Sequence, residues 1–115
     1  MQHPKIPQLQ SPVIDLLSHR WSPRSFTAQP ISSADMDTII EAGTWAFSSS
    51  NEQPWRYIIA HHGTPLFAKL WSLLMPGNQP WCQHAAVLMI AAIQTKSANG
   101  NPNGAALHDL GAANF

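Results

Sequence analysis

The sequence predicts a single domain that mixes helices with strands, and three observations carry that reading. The chain has 115 residues, enough for one domain and one core with little to spare. Two short segments have strand composition: Arg56-Tyr57-Ile58-Ile59-Ala60-His61 and the continuously apolar Ala85-Ala86-Val87-Leu88-Met89-Ile90-Ala91-Ala92. Helix-like segments surround them, near residues 12–18, 31–43, 64–74 and 105–115, with apolar residues at helical spacing or recognisable start signals.

Taken in order, residues 1–12 form an N-terminal arm that holds Pro4 and Pro7. Pro12 then opens a short helix with Val13, Leu16 and Leu17 on one face. Pro23 breaks it and leaves Arg20 and Arg24 on a serine-containing turn. Two guanidinium groups there are either a cradle for a phosphate, which they suit through paired N–H donors, or ordinary solvated surface charges. Ser32 is placed to cap the next helix, with Asp35 bonding back three residues on, and Met36, Ile39, Ile40 and Gly43 form its core-facing stripe.

Between this helix and the first strand lies the densest polar stretch of the chain, Ser48-Ser49-Ser50-Asn51-Glu52-Gln53-Pro54-Trp55. Small hydroxyl and carboxamide side chains at an irregular junction with free backbone N–H groups can surround a planar heteroaromatic ligand. The same residue types also make an ordinary loop, and composition alone favours the loop. After the first strand, Thr64 as cap and Pro65 at the first helical position start a helix that should stop at Pro76-Gly77. Residues 78–84 read as turn-rich. The apolar second strand should be buried on both faces. Residues 96–104, with two Asn/Gly turn signals, read as a mobile connection or lid. The last helix reaches Phe115 with no stop signal, so the expectation is that the natural protein continues.

Composition narrows the partners. Only 10% of residues are charged, against roughly 25% in an ordinary soluble domain, while 44% are hydrophobic and five are Trp. Such a chain has few charges to cover its outside, so much of its surface is expected to be buried against another subunit or another part of the polypeptide. The formal net charge is zero, which gives no reason to expect a nucleic-acid or anionic-membrane partner. No apolar run is long enough for a signal peptide or a membrane span, and the single cysteine, Cys82, fits a reducing compartment. The expectation is a soluble, cytoplasmic protein.

Several chemistries lack their spacing. His61 and His62 are adjacent and would point to opposite faces of a strand; Cys82-x-His84 and His108-Asp109 have no second half at metal-ligand spacing, so no metal is expected. Neither Cys82 nor Ser48 to Ser50 lies in a nucleophile pattern, and Gly100 and Gly104 are not followed by the Lys-Ser or Lys-Thr of a phosphate loop.

Read together, Arg20-x-Ser22-x-Arg24-x-Phe26, the capped helix after it, and Ser48-Ser49-x-Asn51-x-Gln53-Pro54-Trp55 resemble the N-terminal half of the FMN-dependent nitroreductase family in order and spacing. His108-Asp109-x-Gly111-x-Ala113-Asn114 resembles the start of that family's long core helix. The resemblance runs over residues 13–115 and covers about half of a family member. It implies an α+β, nitroreductase-like fold, a central β-sheet flanked by helices that is incomplete in this chain, and an intertwined homodimer with FMN at the subunit interface. By position, Arg20 and Arg24 would contact the FMN phosphate and ribityl chain, with Ser22 beside them. Ser48, Ser49 and Asn51 would line the flavin ring from the other subunit. Gln53, Pro54 and Trp55 look like supports, and Asn78 matches a ring-contacting Asn ahead of the second strand.

The activity implied is transfer of hydride from NAD(P)H through flavin to an oxidised acceptor such as a nitroaromatic or quinone. No protein acid or base is expected, because the cofactor carries the chemistry. Three features depart from the family pattern: Phe47 stands where Pro is usual, Trp21 where a basic residue is more common, and the second half, with its basic residues for the phosphate, is missing. Two other readings stand beside this one, a non-catalytic flavin-binding remnant and a generic α/β interaction domain.

Overall fold

A computed structural model of the chain describes residues 10–115; of the proposed arm at residues 1–12, residues 1–9 lie outside the described residues. Helix α1 is a single turn, Asp15–Ser18, and helix α2 spans Ser33–Thr44. Strand β1 is Trp55–His61, helix α3 is Pro65–Ser72, helix α4 is Gln79–Cys82, strand β2 is Val87–Ile93 and helix α5 is Ala106–Asn114. The fold is α+β.

The two strands pair antiparallel, in a register that runs from Trp55 opposite Ile93 to His61 opposite Val87. Bonds from Gln94 N–H to the Pro54 carbonyl and from His62 N–H to the Ala86 carbonyl, both 2.8 Å, extend the ladder at its two ends. The end of β1 therefore lies beside the start of β2, where a tight turn would close a hairpin. Instead, residues 62–86 leave the sheet, form α3 and α4, and return to it. They build the core on the way: Phe67 and Leu70 of α3 pack with Ala60 and Ala85, and Trp71 and Leu88 close over them. The Trp71 indole donates to the Gln79 carbonyl at 2.9 Å, joining α3 to α4. Helix α5 packs against α2 and both strands. At Gly43 the two helices come so close that a Cβ would sit 3.2 Å from the Ala113 carbonyl oxygen. Tyr57 adds a tie from β1, donating to Asn114 Oδ1 at 2.8 Å.

Local signals set the helix starts. Ser32 accepts from Asp35 N–H at 3.0 Å, and Thr64 from Phe67 N–H at 3.2 Å with Pro65 behind it. Asp35 bonds back as expected, with its carboxylate accepting from the Ser32 hydroxyl at 2.6 Å rather than from a backbone N–H. The α3 helix ends at Ser72, before Pro76-Gly77, because the Leu73 and Leu74 N–H groups turn to carbonyls three residues back.

Three expectations change. The β2 strand is not buried on both faces: Met89 to Ala92 are exposed. Helices α3 and α5 pack against β2 but leave these four residues exposed among the described residues. The stretch 78–84 contains the one-turn helix α4, with Pro80 in its first turn. Residues 95–103 form a closed hairpin rather than a loose lid. Asn103 N–H bonds to the Thr95 carbonyl and Ser97 N–H to the Asn101 carbonyl, both 2.9 Å, and Glu52 accepts from Ala98 N–H at 3.0 Å. Large apolar residues do stay exposed, among them Trp45, Phe47, Leu107 and Phe115. Among the described residues no helix is long and apolar enough to cross a membrane.

Candidate functional site

The polar junction between α2 and β1 folds into a tight, unusual loop. Ser49–Asn51 make one 3₁₀ turn, and Ser50, Asn51 and Gln53 all take positive φ, at 52°, 54° and 46°. Non-glycine residues pay roughly 1–2 kcal/mol each for that left-handed conformation, with Asn at the cheap end. Something must hold the loop.

Four ties do so. Ser48 Oγ accepts from Gln53 N–H at 3.1 Å across the loop. The Arg56 guanidinium donates to the Gln53 carbonyl at 3.0 Å and to Gln94 Oε1 at 2.7 Å, fixing the loop's exit to the sheet. Glu52 reaches the 95–103 hairpin through Ala98 N–H. From α5, the carboxylate of Asp109 accepts from Ser49 N–H at 3.1 Å, and Asp109 is 1% exposed.

These ties decide what the loop can offer a ligand. The N–H groups of Ser49, Asn51, Glu52 and Gln53 are all spent inside the chain, on Asp109, the Ser48 carbonyl, the Ser49 carbonyl and Ser48 Oγ respectively. The expectation of free backbone donors is therefore wrong for most of the loop. Besides the Ser50 N–H, what remains are side chains: the Ser49 and Ser50 hydroxyls and the Asn51 carboxamide have no hydrogen-bond partner among the described residues. Ser48 keeps its hydroxyl proton free to donate while its oxygen braces the loop. Asn51 and Gln53 line an open cleft of about 440 Å³ with Thr44, Trp45 and Ala46. A second, more apolar cleft of about 520 Å³ shares Ala46 with the first and is lined by Phe47 and by Leu107, His108, Gly111 and Phe115 along α5.

The arginine turn lies elsewhere on the chain. Arg20 Nη1 donates to Ser22 Oγ at 3.1 Å, so those two expected residues meet on an exposed turn. Arg24 is exposed, with no hydrogen-bond partner among the described residues. Downstream, Phe26 stacks on Trp81 with ring centroids 6.1 Å apart, and the Trp81 indole donates to Asn78 Oδ1 at 3.3 Å. One aromatic stack thus joins the segment of Arg20, Ser22 and Arg24 to the segment of Asn78. No hydrogen bond among the described residues joins either segment to Ser48, Ser49 or Asn51. Among the described residues, these contacts gather the expected residues into two groups.

Sequence reasoning missed the braces, Asp109 above all. One signal was available: Asp109 is the lone acidic residue in the segment 105–115. Its partner lies 60 residues away, which no local pattern reveals. Among the described residues, no three His, Cys, Asp or Glu side chains gather closely enough to hold a metal ion.

The sequence profile of the nitroreductase family matches residues 17–113. The chain belongs to the nitroreductase family. Its fold is that of the family's solved structures. A crystal structure of an oxidoreductase containing FMN is 37% identical and superposes with a TM-score of 0.90, over 100% of this chain and 60% of that one. A protein from Desulfovibrio desulfuricans, described as a nitroreductase in complex with FMN, is 25% identical with a TM-score of 0.73, over 91% of this chain and 59% of its own. A third, from Parabacteroides distasonis and described as an NADH dehydrogenase/NAD(P)H nitroreductase, shares the fold at a TM-score of 0.66 and 22% identity. No curated protein sequence matched the chain. This family member thus spans about 60% of the length of the structures it superposes on.

Proposed function

We propose that residues 13–115 are the N-terminal portion of an FMN-dependent oxidoreductase domain that works as a homodimer. It would take hydride from NAD(P)H and pass it to an oxidised small molecule such as a nitroaromatic or a quinone. The observation that carries this reading is the 37% identity to an FMN-containing oxidoreductase along the whole chain. The residues present suit FMN in kind. Arg20 and Arg24 on an exposed turn offer cationic, fork-shaped donors for a phosphate. The free Ser49 and Asn51 side chains offer donors and acceptors for the polar edge of a flavin ring. FMN supplies the two-electron chemistry when bound; the chain's residues bind and orient it.

In this scheme Ser48 donates its hydroxyl proton while bracing the loop, and the Asn51 carboxamide fixes the ring's orientation from the cleft it lines. Asn78, whose oxygen is engaged by Trp81, has its side-chain N–H₂ left to donate. The separation of these residues into two groups suits a site assembled from two subunits, one giving the arginine turn and the other the loop. The exposed apolar strip of Phe47, Leu107 and Phe115 suits burial against a second copy. A cytoplasmic setting fits the single, buried cysteine. A second reading, a non-catalytic flavin-holding module, draws on the residues Met89 to Ala92 of β2, which α3 and α5 leave exposed.

Absorption spectroscopy separates these readings. Purified chain reconstituted with FMN should retain the flavin and lose its visible absorbance on addition of NADH or NADPH; retained flavin that never bleaches favours the non-catalytic module. Arg20→Ala should weaken FMN retention about tenfold, as loss of a charge-assisted contact does. Unchanged retention would remove Arg20 from the phosphate site.

A further inference from the structure

We propose that Asp109 is the positioning residue of the flavin-facing loop, an inference that rests on the flavin reading above. Its carboxylate holds Ser49 N–H and thereby sets the directions of the Ser49 and Asn51 side chains.

Asp109 lies in the first turn of α5 and is almost fully buried, yet it does not serve its own helix. Its backbone N–H makes the helical bond to the Ala105 carbonyl, and its side chain turns instead to a residue 60 positions earlier. A carboxylate taken out of water is costly unless it is hydrogen-bonded, so an apolar residue would fill this position more cheaply if packing were the only demand. The charge is matched to one backbone donor at the start of a turn whose next two residues have positive φ. The neighbouring side chain reinforces the grip. The His108 ring tilts against Phe47 with centroids 5.7 Å apart, and its Nδ1 lies 3.5 Å from Asp109 Oδ1. Consecutive residues of α5 thus hold Phe47 by its ring and Ser49 by its backbone, with Ser48 between them. Released from Asp109, Ser49 N–H loses its acceptor, and the turn can relax toward negative φ, carrying Asn51 away from the cleft.

The test uses the full chain, with Asp109→Ala and Asp109→Asn, and three readouts: circular dichroism for the fold, FMN fluorescence quenching for affinity, and hydrogen exchange at the Ser49 amide. Asp109→Ala should keep its helical signal, exchange Ser49 N–H about tenfold faster and bind FMN about tenfold more weakly, the scale of one buried charge-assisted bond. Asp109→Asn keeps a carbonyl that can accept from Ser49 and should stay within about threefold of the wild type in both. Ser49 exchange unchanged in Asp109→Ala overturns the inference, as does Asp109→Asn matching the damage of Asp109→Ala. If Asp109→Ala fails to fold, the Asp109→Asn amide decides: protected supports the inference, unprotected overturns it. Wild-type chain that holds no FMN refutes flavin binding by this portion of the domain by itself, while the exchange measurement still judges the Asp109 contact.

Discussion

Replacing Ser48 with alanine removes one oxygen that braces the loop, and the structure fixes what that should cost. Three left-handed residues, one of them an Asn, store roughly 3–5 kcal/mol of backbone strain between Ser50 and Gln53. Against this stand four ties: about 1 kcal/mol from the neutral Ser48 to Gln53 bond, about 2 from buried Asp109, and about 1 each from the exposed Arg56 and Glu52 contacts. Strain and restraint come out nearly level, so the loop is poised and each tie matters. Ser48→Ala should lower stability by about 1 kcal/mol, which in a domain of this size moves the thermal midpoint by about 4 °C. It should weaken FMN binding by up to about fivefold, because fewer molecules hold the loop ready. Ser48→Thr keeps the oxygen and should behave like the wild type. The assay is a thermal melt by circular dichroism combined with hydrogen exchange at the Gln53 amide. A midpoint and a Gln53 exchange rate both unchanged in Ser48→Ala would refute the bracing role.

Two pH predictions use groups that occur once in the chain, which makes their signals clean. Burial pushes the Tyr57 phenol above its ordinary range, so the neutral, donating form belongs to the folded state. Its contribution to stability is complete below pH about 10 and is lost as pH rises through the higher folded value. Ultraviolet titration should put the phenolate midpoint higher in native than in urea-unfolded chain; coincident midpoints would count against the burial argument. Burial likewise raises the Cys82 thiol. Its contribution is complete below pH about 8.5 and declines above it. A thiol reagent at mildly alkaline pH should modify native chain at least about tenfold more slowly than unfolded chain, and equal rates would show the thiol to be accessible.

What the sequence made legible was local. Ser32 and the Thr64-Pro65 pair announce α2 and α3 because a helix start is decided by side chains within one turn of it. The β1 strand is legible for a similar reason, its β-branched and aromatic residues lying together between turn signals. The α4 helix is not, since four residues give no periodicity to read. The burial of β2 was misjudged because an apolar run tells what a strand would accept as neighbours, not which neighbours this chain provides. At the site, Ser48 to Asn51 stand out as a polar junction and Arg20-x-Ser22-x-Arg24 as a cationic turn, and family spacing joins them. The left-handed residues and the carboxylates that restrain them do not stand out. Positive φ at Ser50 and Gln53 runs against residue preference, and the contact from Asp109 to Ser49 depends on how α5 packs.

The spent amides of the loop have a consequence for how such a site can change over generations. A pocket that reads its ligand with backbone donors is rewritten only by bending the main chain, which disturbs everything the main chain supports. Here four of the five main-chain N–H groups from Ser49 to Gln53 are held within the chain, and on the proposed flavin reading recognition would fall mainly to the hydroxyls of Ser49 and Ser50 and the carboxamide of Asn51. Each of those is one codon. A new ligand preference can therefore arise by single substitutions at the tip, while Asp109, Ser48, Glu52 and Arg56 keep the scaffold unchanged beneath it.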